Sequence, residues 1–228
     1  MLRASETKSM TNLIVRNLAD QLVDLVRDRI LNGTIPADQA IRQDTLAAEL
    51  GISKIPLREA LTRLEQEGLV RSQANRGYFV RALSATEAEE VYALRLKLEP
   101  ELVALAAARA SDAERQHAIA VHDELDKVTD AHGDGVGRFN RAFHLALIQP
   151  ANQPITTHML ERLHVLGERY VRKHLEPLGR DQRANEEHQA ILGHWLDRDG
   201  DAVARATAAH IQTTIDDLRR QFSADRID

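Results

Sequence analysis

Three histidines in the second half of this sequence have the spacing of side chains that face the inside of a helical bundle. His144, His188 and His210 each recur at helical intervals with apolar neighbours. Asn140 precedes His144 by four residues, so the two share one face of a helix. Imidazole nitrogens are ligands for zinc, nickel and similar divalent transition metals. The pattern therefore allows a metal site, although by itself it favours buried histidines that hold ordinary hydrogen bonds.

Arg95 is a candidate for binding a carboxylate, because a guanidinium offers two parallel N–H donors to such a group. Glu99 follows four residues later, and an ion pair within one helix is the alternative. The other seven histidines, His164 among them, are interpreted as surface or packing residues. The pair Glu186–Glu187 is interpreted as part of a solvated helix face.

A second group of residues has the chemistry of DNA recognition. Ser53, Lys54 and Arg58 lie at the start of a predicted helix, where side chains can meet phosphates and base edges. Arg76 and Gly77 lie at the tip of a predicted hairpin, which suits contact with the DNA backbone or the minor groove. The alternative is that all of them are solvated residues of an ordinary helix and turn.

The elements around this second group are those of a winged helix-turn-helix. Gly51 marks a tight turn between two helices, Ser53 is placed to cap the second helix, and Gly68 ends it. Two short strands follow, joined by a turn at Ala74–Gly77. The predicted elements are helices at 13–32, 45–50 and 53–68 and strands at 69–71 and 78–80. In such a fold the second helix of the motif enters the DNA major groove.

The rest of the chain shows only helical periodicity. Ser84 with Glu87, and Ser111 with Glu114, have the spacing of capping boxes at helix starts. Six helices are predicted, roughly at 85–109, 112–131, 135–149, 153–174, 181–198 and 200–222. The predicted fold class is mainly α, with a winged helix-turn-helix domain at 12–81, a linker at 82–86 and an all-α antiparallel helical bundle at 87–222.

Composition limits what the chain can be. Its 228 residues include no cysteine, which excludes disulfides and thiolate metal sites. No apolar stretch reaches the roughly 18 residues of a membrane span, so we expect a cytoplasmic protein with no membrane partner. Residues 1–81 hold 12 Lys and Arg against 10 Asp and Glu, whereas the rest hold 18 against 25. A weakly basic first part and an acidic second part fit a DNA-binding domain joined to one with another task.

Residues 13–81 resemble the N-terminal domain of the GntR family of bacterial transcription regulators. The matching segments keep a fixed spacing and are Leu46-Ala47, Leu50–Lys54, Pro56–Leu61 and Leu64–Val70. In that family, the positions that match Ser53, Lys54, Arg58, Arg76 and Gly77 contact DNA. The resemblance therefore implies that these five residues bind DNA here.

Two positions depart from the family pattern. Lys54 stands where arginine is usual, which keeps the charge and loses the planar fork of a guanidinium. Ala37-Asp38 stand where a Pro-Gly turn is common. These differences affect one charge and the first loop, and they leave the rest of the DNA-reading segment as in the family.

Residues 87–222 resemble the FCD domain, the all-helical effector domain of the FadR subfamily of GntR regulators. The resemblance rests on Leu94–Glu99, Asn140–His144, Glu187-His188 with Ile191, and His210 after Ala208-Ala209. It implies a divalent metal at positions matching Asn140, His144, His188 and His210, which helps to hold a small carboxylate effector. Arg95 is a candidate contact for that effector, with the ion pair to Glu99 as the alternative. Asparagine replaces the commoner aspartate, and a neutral amide leaves the metal its full charge for an anionic effector.

Together the two resemblances imply a ligand-responsive regulator of transcription. A homodimer would place two reading helices about one helical turn apart on a palindromic operator in double-stranded DNA. A small organic acid beside bound zinc or nickel would change their relative placement. Repression relieved by the effector is expected, with activation as the alternative. A metal-dependent enzyme on a helical bundle is the competing class, but it does not account for a separate DNA-reading domain.

Overall fold

The computed structural model describes residues 18–131, 135–175 and 180–224. Contacts divide the chain into two compact units, Met1–Ala82 and Leu83–Asp228. Residues 12–17 of the predicted first domain, which include the start of its predicted first helix, lie outside the described residues.

The first unit contains a helix-turn-helix and a hairpin. Its described elements are α1 (residues 18–31), α2 (Gln43–Glu49), α3 (Lys54–Gln66), β1 (Val70–Gln73) and β2 (Gly77–Val80). The turn after α2 depends on Gly51, whose φ of +64° lies in the left-handed region that favours glycine. Apolar side chains at helical spacing form the core, with Leu57, Leu61, Leu64 and Leu69 fully buried. The predicted winged helix-turn-helix is therefore confirmed.

The loop before α2 turns without the glycine that is common in the family. Asp38 stands at that position and has a φ of 59°. Aspartate tolerates this left-handed conformation better than most residues. The backbone N–H of Asp38 donates to the carbonyl oxygen of Val80 at 3.1 Å, so the loop is held against the second strand.

The two strands of the hairpin pair with each other, and β2 is also joined to α3. β1 and β2 pair antiparallel, with Val70 opposite Val80 and Gln73 opposite Gly77. The hydroxyl groups of Thr62 on α3 and Tyr78 on β2 lie 2.8 Å apart and share a hydrogen bond. These contacts join the hairpin to the C-terminal half of α3.

The second unit is entirely helical in its described part. Its helices are α4 (Ala85–Arg109), α5 (Asp112–Asp130), α6 (Val136–Ile148), α7 (Pro154–Leu175), α8 (Arg180–Leu196) and α9 (Gly200–Ala224), with a short 3-10 turn at Gln149–Ala151. The most extensive contact between the described helices is that of α4 with α9, while α5 packs on α6 and α8. Large side chains such as Phe143, Leu147 and Trp195 are fully buried at the centre. None of the described helices is both long and apolar enough to cross a bilayer.

The two predicted capping boxes differ in the structure. At α5, Ser111 and Glu114 exchange both hydrogen bonds of the motif. At α4, Ser84 accepts from the backbone of Glu87, but the Glu87 carboxylate instead accepts from Arg169 at 2.9 Å and from Tyr170 at 3.0 Å. The capping box at α4 is therefore only half formed, because Arg169 and Tyr170 of α7 donate to the carboxylate of Glu87.

Helix α4 also starts within residues 82–86, which were predicted from the sequence to be a linker.

Candidate functional site

The exposed face of α3 carries the residues predicted to bind DNA. Ser53, Lys54 and Arg58 are all exposed, and Leu57 between them is buried in the core. Ser53 occupies the N-cap position, but its side chain makes no capping hydrogen bond, contrary to the role predicted for it. Lys54 forms an ion pair with Asp44, and both side chains are exposed. Such exposed pairs contribute about 0–1 kcal/mol, so a DNA phosphate can compete for the lysine.

An apolar residue that the sequence analysis did not select also belongs to this face. Ile55 lies in the first turn of α3 with 71% of its surface exposed. In the major groove, apolar side chains contact the methyl group of thymine. Ile55 lies next to Lys54 in the first turn of the predicted helix, and this position is the signal that could have identified it as part of the exposed face.

The hairpin tip holds the other two predicted DNA contacts. Gly77 has a φ of +85°, and a Cβ there would lie 3.1 Å from the Gln43 side chain, so both conformation and space favour glycine. The exposed guanidinium of Arg76 lies over the Phe79 ring at 5.4 Å. Arg71 lies at 5.0 Å from the same ring and adds a cation that sequence reasoning missed. The hairpin thus presents two arginines held by one aromatic side chain.

In the second unit, three of the predicted metal ligands converge. His144 on α6, His188 on α8 and His210 on α9 are buried, and one nitrogen of each lies within 4.8 Å of the others. The ring centroids are 5.3 Å apart for His144–His188, 5.3 Å for His144–His210 and 4.7 Å for His188–His210. We call these three residues the histidine cluster.

The chemistry of the histidine cluster fits a divalent transition metal. The Nε2 atom of His144 and both ring nitrogens of His188 are buried without a hydrogen-bond partner in the described structure. Burial lowers the pKa of His144 to about 3 and places that of His188 well below its usual range. Both rings are therefore neutral at physiological pH, which is the form that binds a metal. Unpartnered imidazole nitrogens inside a bundle are costly unless a ligand uses them.

The cluster borders a pocket that is partly open to solvent. His188 and His210 line it together with Asn140, the fourth predicted metal ligand, and Arg95, the predicted effector contact. Its other lining residues include Tyr92, Thr129, Asn185 and Thr214. Metal binding by Asn140 stays a prediction, since only its place in the pocket wall is defined.

Arg95 makes the ion pair that was the alternative to effector binding. Its Nε lies 2.8 Å from Oε2 of Glu99, and its Nη2 lies 3.3 Å from Oε1. Glu99 is fully buried and also lies 2.9 Å from Nδ1 of His144 and 3.2 Å from Nε2 of His164. Although burial alone would raise it, the pKa of Glu99 lies well below its usual range because Arg95 and the two histidines face it. Glu99 is thus a buried anion shared by three partners.

Two interpretations from the sequence are corrected here. His164 is buried beside Glu99 and its ring lies 5.1 Å from that of His144, so it belongs to the polar network and is not simple packing. Glu187 was placed on a solvated face, but its Oε2 lies 2.6 Å from Nδ1 of His210 and 3.3 Å from Nη2 of Arg180. The contacts of His164 with Glu99 and of Glu187 with His210 each join two different helices, so no local spacing indicated them.

Comparison with known proteins identifies this combination of domains. Residues 18–80 match the family of bacterial regulatory proteins described as the gntR family, and residues 90–213 match the FCD domain. The chain belongs to the GntR family of bacterial transcriptional regulators, and within it to the members that carry an FCD domain. It is a DNA-binding regulator and not an enzyme, so the alternative of a metal-dependent enzyme is discarded.

Individual relatives extend over most of the chain. The Nta operon transcriptional regulator of Aminobacter aminovorans is 31% identical and aligns with 79% of this chain and 84% of its own length. The HTH-type transcriptional repressor GlaR of Escherichia coli strain K12 is 27% identical and aligns with 83% of this chain and 90% of its own length. Among solved structures, E. coli McbR/YncC superposes with a TM-score of 0.78 at 23% identity, over 90% of this chain and 98% of that one. This last similarity is one of fold.

Proposed function

We propose that this chain is a transcriptional repressor that binds a palindromic operator as a homodimer in the cytoplasm and is released by a small carboxylate metabolite. The observation that carries the proposal is the histidine cluster, whose unpartnered nitrogens border a pocket in a chain that also carries a reading helix. Zinc or nickel is the metal that this donor set favours. A repressor among the relatives, GlaR, supports the direction of regulation.

In the DNA-binding unit, we assign contacts to both the helix and the hairpin. Arg58 contacts guanine or a phosphate in the major groove, where its guanidinium can make two parallel hydrogen bonds. Ser53 and Lys54 bind phosphate, and Arg76 with Gly77 contacts the backbone or minor groove. The exposure of Ser53, Lys54, Arg58 and Arg76 supports this assignment.

In the helical unit, His144, His188, His210 and Asn140 would hold the metal. When bound, the metal supplies a positive charge to which a carboxylate can coordinate. Because Glu99 already occupies two N–H groups of Arg95, we assign Arg95 a place in the pocket wall, with the metal as the main anchor for the effector.

Replacing Arg58 with alanine is expected to weaken operator binding by about 1–3 kcal/mol, which is roughly 5- to 150-fold in affinity. A gel-shift titration with the promoter DNA beside the gene measures this change, and the mass of the complex gives the number of chains bound. Arg63→Ala is the matched control, since Arg63 lies on the same helix but pairs with Asp20 of α1. Equal binding by wild type and the Arg58 variant would contradict the assigned interface.

Zinc followed by an organic acid is expected to raise the melting temperature of the full chain in two steps. Each ligand stabilises the state it binds, by about 2.7 kcal/mol when present at 100 times its dissociation constant. Differential scanning fluorimetry with zinc alone, and then with a panel of small mono- and dicarboxylic acids, measures both steps. A panel in which no acid adds to the effect of zinc would argue against a carboxylate effector.

A further inference from the structure

In two of the three clustered histidines, the Nδ1 atom lies beside a carboxylate. Nδ1 of His144 lies 2.9 Å from Oε1 of Glu99, and Nδ1 of His210 lies 2.6 Å from Oε2 of Glu187. The two carboxylates belong to different helices, α4 and α8. The same arrangement has therefore been built twice from unrelated parts of the sequence.

An ionised carboxylate can only accept hydrogen bonds, so it determines which ring nitrogen carries the proton. In the neutral form of His144 and of His210 the proton must therefore lie on Nδ1, and Nε2 is left with a free electron pair. This agrees with the buried Nε2 of His144, which has no partner in the described structure. A histidine fixed in this way has one nitrogen ready for a ligand without any rearrangement.

We propose that Glu99 and Glu187 are positioning residues that preset His144 and His210 to bind the metal through Nε2. The proposal rests on the metal site of the proposed function. His188 differs, since neither of its ring nitrogens has a partner in the described residues. Two ligands are thus oriented before the metal arrives, and the orientation of the third follows from binding.

Glu187 is the better residue for a test, because its substitution removes the acceptor of His210 while the other partner of Glu187, Arg180, keeps an ion pair. Arg180, which also contacts Glu187, has its Nε 2.7 Å from Oδ2 of Asp217. Glu187 is only partly buried, with 23% of its side chain exposed. By contrast, removing the fully buried Glu99 leaves Arg95 without its ion-pair partner, which would confuse loss of orientation with loss of stability.

Glu187→Ala in the full chain is expected to weaken zinc binding by about 10- to 100-fold, the range found when a partner behind a ligating histidine is removed. Glu187→Gln should give a smaller loss, since the amide oxygen still accepts a hydrogen bond but carries no charge. Competition with a chromogenic chelator measures the affinity of zinc alone. Glu186→Gln is the control, because Glu186 is the exposed neighbour. Thermal unfolding of each metal-free variant verifies folding.

A second measurement reports orientation directly. Long-range proton–nitrogen NMR spectra of the metal-free protein distinguish the two neutral forms of each histidine ring. We expect His210 to carry its proton on Nδ1 in the wild type and to populate both forms in Glu187→Ala. A purely structural role for Glu187 would not change the protonated nitrogen.

The outcomes separate the inference from the function on which it rests. If the wild type retains no zinc, the metal site of the proposed function fails and the positioning role fails with it. If the wild type binds zinc and Glu187→Ala binds it equally well, only the positioning role is overturned. A wild-type spectrum with the proton of His210 on Nε2 would also overturn it.

Discussion

Replacing His188 with alanine is expected to lower the affinity for zinc by more than about 100-fold, beyond the range found for residues behind the ligands. His188 lies within ring-contact distance of both other members of the histidine cluster. Both of its nitrogens lack partners in the described structure, so the substitution breaks no hydrogen bond there. The loss should therefore fall on the metal and much less on the fold.

Elemental analysis of the purified protein checks this expectation. The wild type should contain about one equivalent of zinc, and His188→Ala less than about 0.2 equivalents. His122→Ala is a matched control, because His122 is also buried and contacts the same Phe143 ring, at 5.3 Å against 5.1 Å for His188. A zinc content of His188→Ala equal to that of the wild type and of His122→Ala would rule out the histidine cluster as the site.

Replacing Glu99 with alanine is expected to destabilise the helical unit by about 3–5 kcal/mol, because it leaves a buried charge uncompensated. Glu99 is fully buried, and Arg95 has only 3% of its surface exposed, so water cannot replace the lost partner. The substitution also removes the acceptor that lies beside His144 and His164. A loss of this size is a large part of the roughly 5–15 kcal/mol by which domains are usually stable.

Urea unfolding followed by circular dichroism measures the change. Two further variants test its cause. Glu101→Ala, an exposed site on the same helix, should have a small effect. The double variant Arg95→Leu with Glu99→Leu removes both charges, so it should recover much of the stability that Glu99→Ala loses. A Glu99→Ala protein that unfolds at the wild-type urea concentration would contradict the account of Glu99 as a shared buried anion.

Most helices could be predicted because their signals are local. Ser111 with Glu114 marked the start of α5. Gly51 and Gly68 marked the turn before α3 and the end of α3, and both have positive φ values in the structure. Helix α4 was predicted at the observed bounds of Ala85–Arg109. Such features depend on residues within one or two turns of each other, so a single sequence contains them.

The candidate site was only partly predictable for a related reason. The inward faces of His144, His188 and His210 follow from spacing along each helix, but their convergence depends on how three helices pack. Glu187 could not be recognised as the partner of His210, because 23 positions separate them in the chain. Arg95 and Glu99 were correctly seen as a possible pair, since they lie on one helix. Local spacing thus indicates which face of a helix points into the bundle, and tertiary packing determines which residues come into contact there.

The hydrogen bond between Thr62 and Tyr78 has a consequence for how DNA is distinguished. Because it joins the hairpin to α3, this contact restricts how far the hairpin can shift relative to the helix. A duplex whose grooves do not match the separation of the helix and the hairpin must bend or change its groove width on binding. The energy of that deformation depends on base sequence, even at base pairs that no side chain touches. If α3 and the hairpin bind DNA as proposed, the first unit should therefore discriminate between sequences by the shape of the duplex as well as by contacts with base edges.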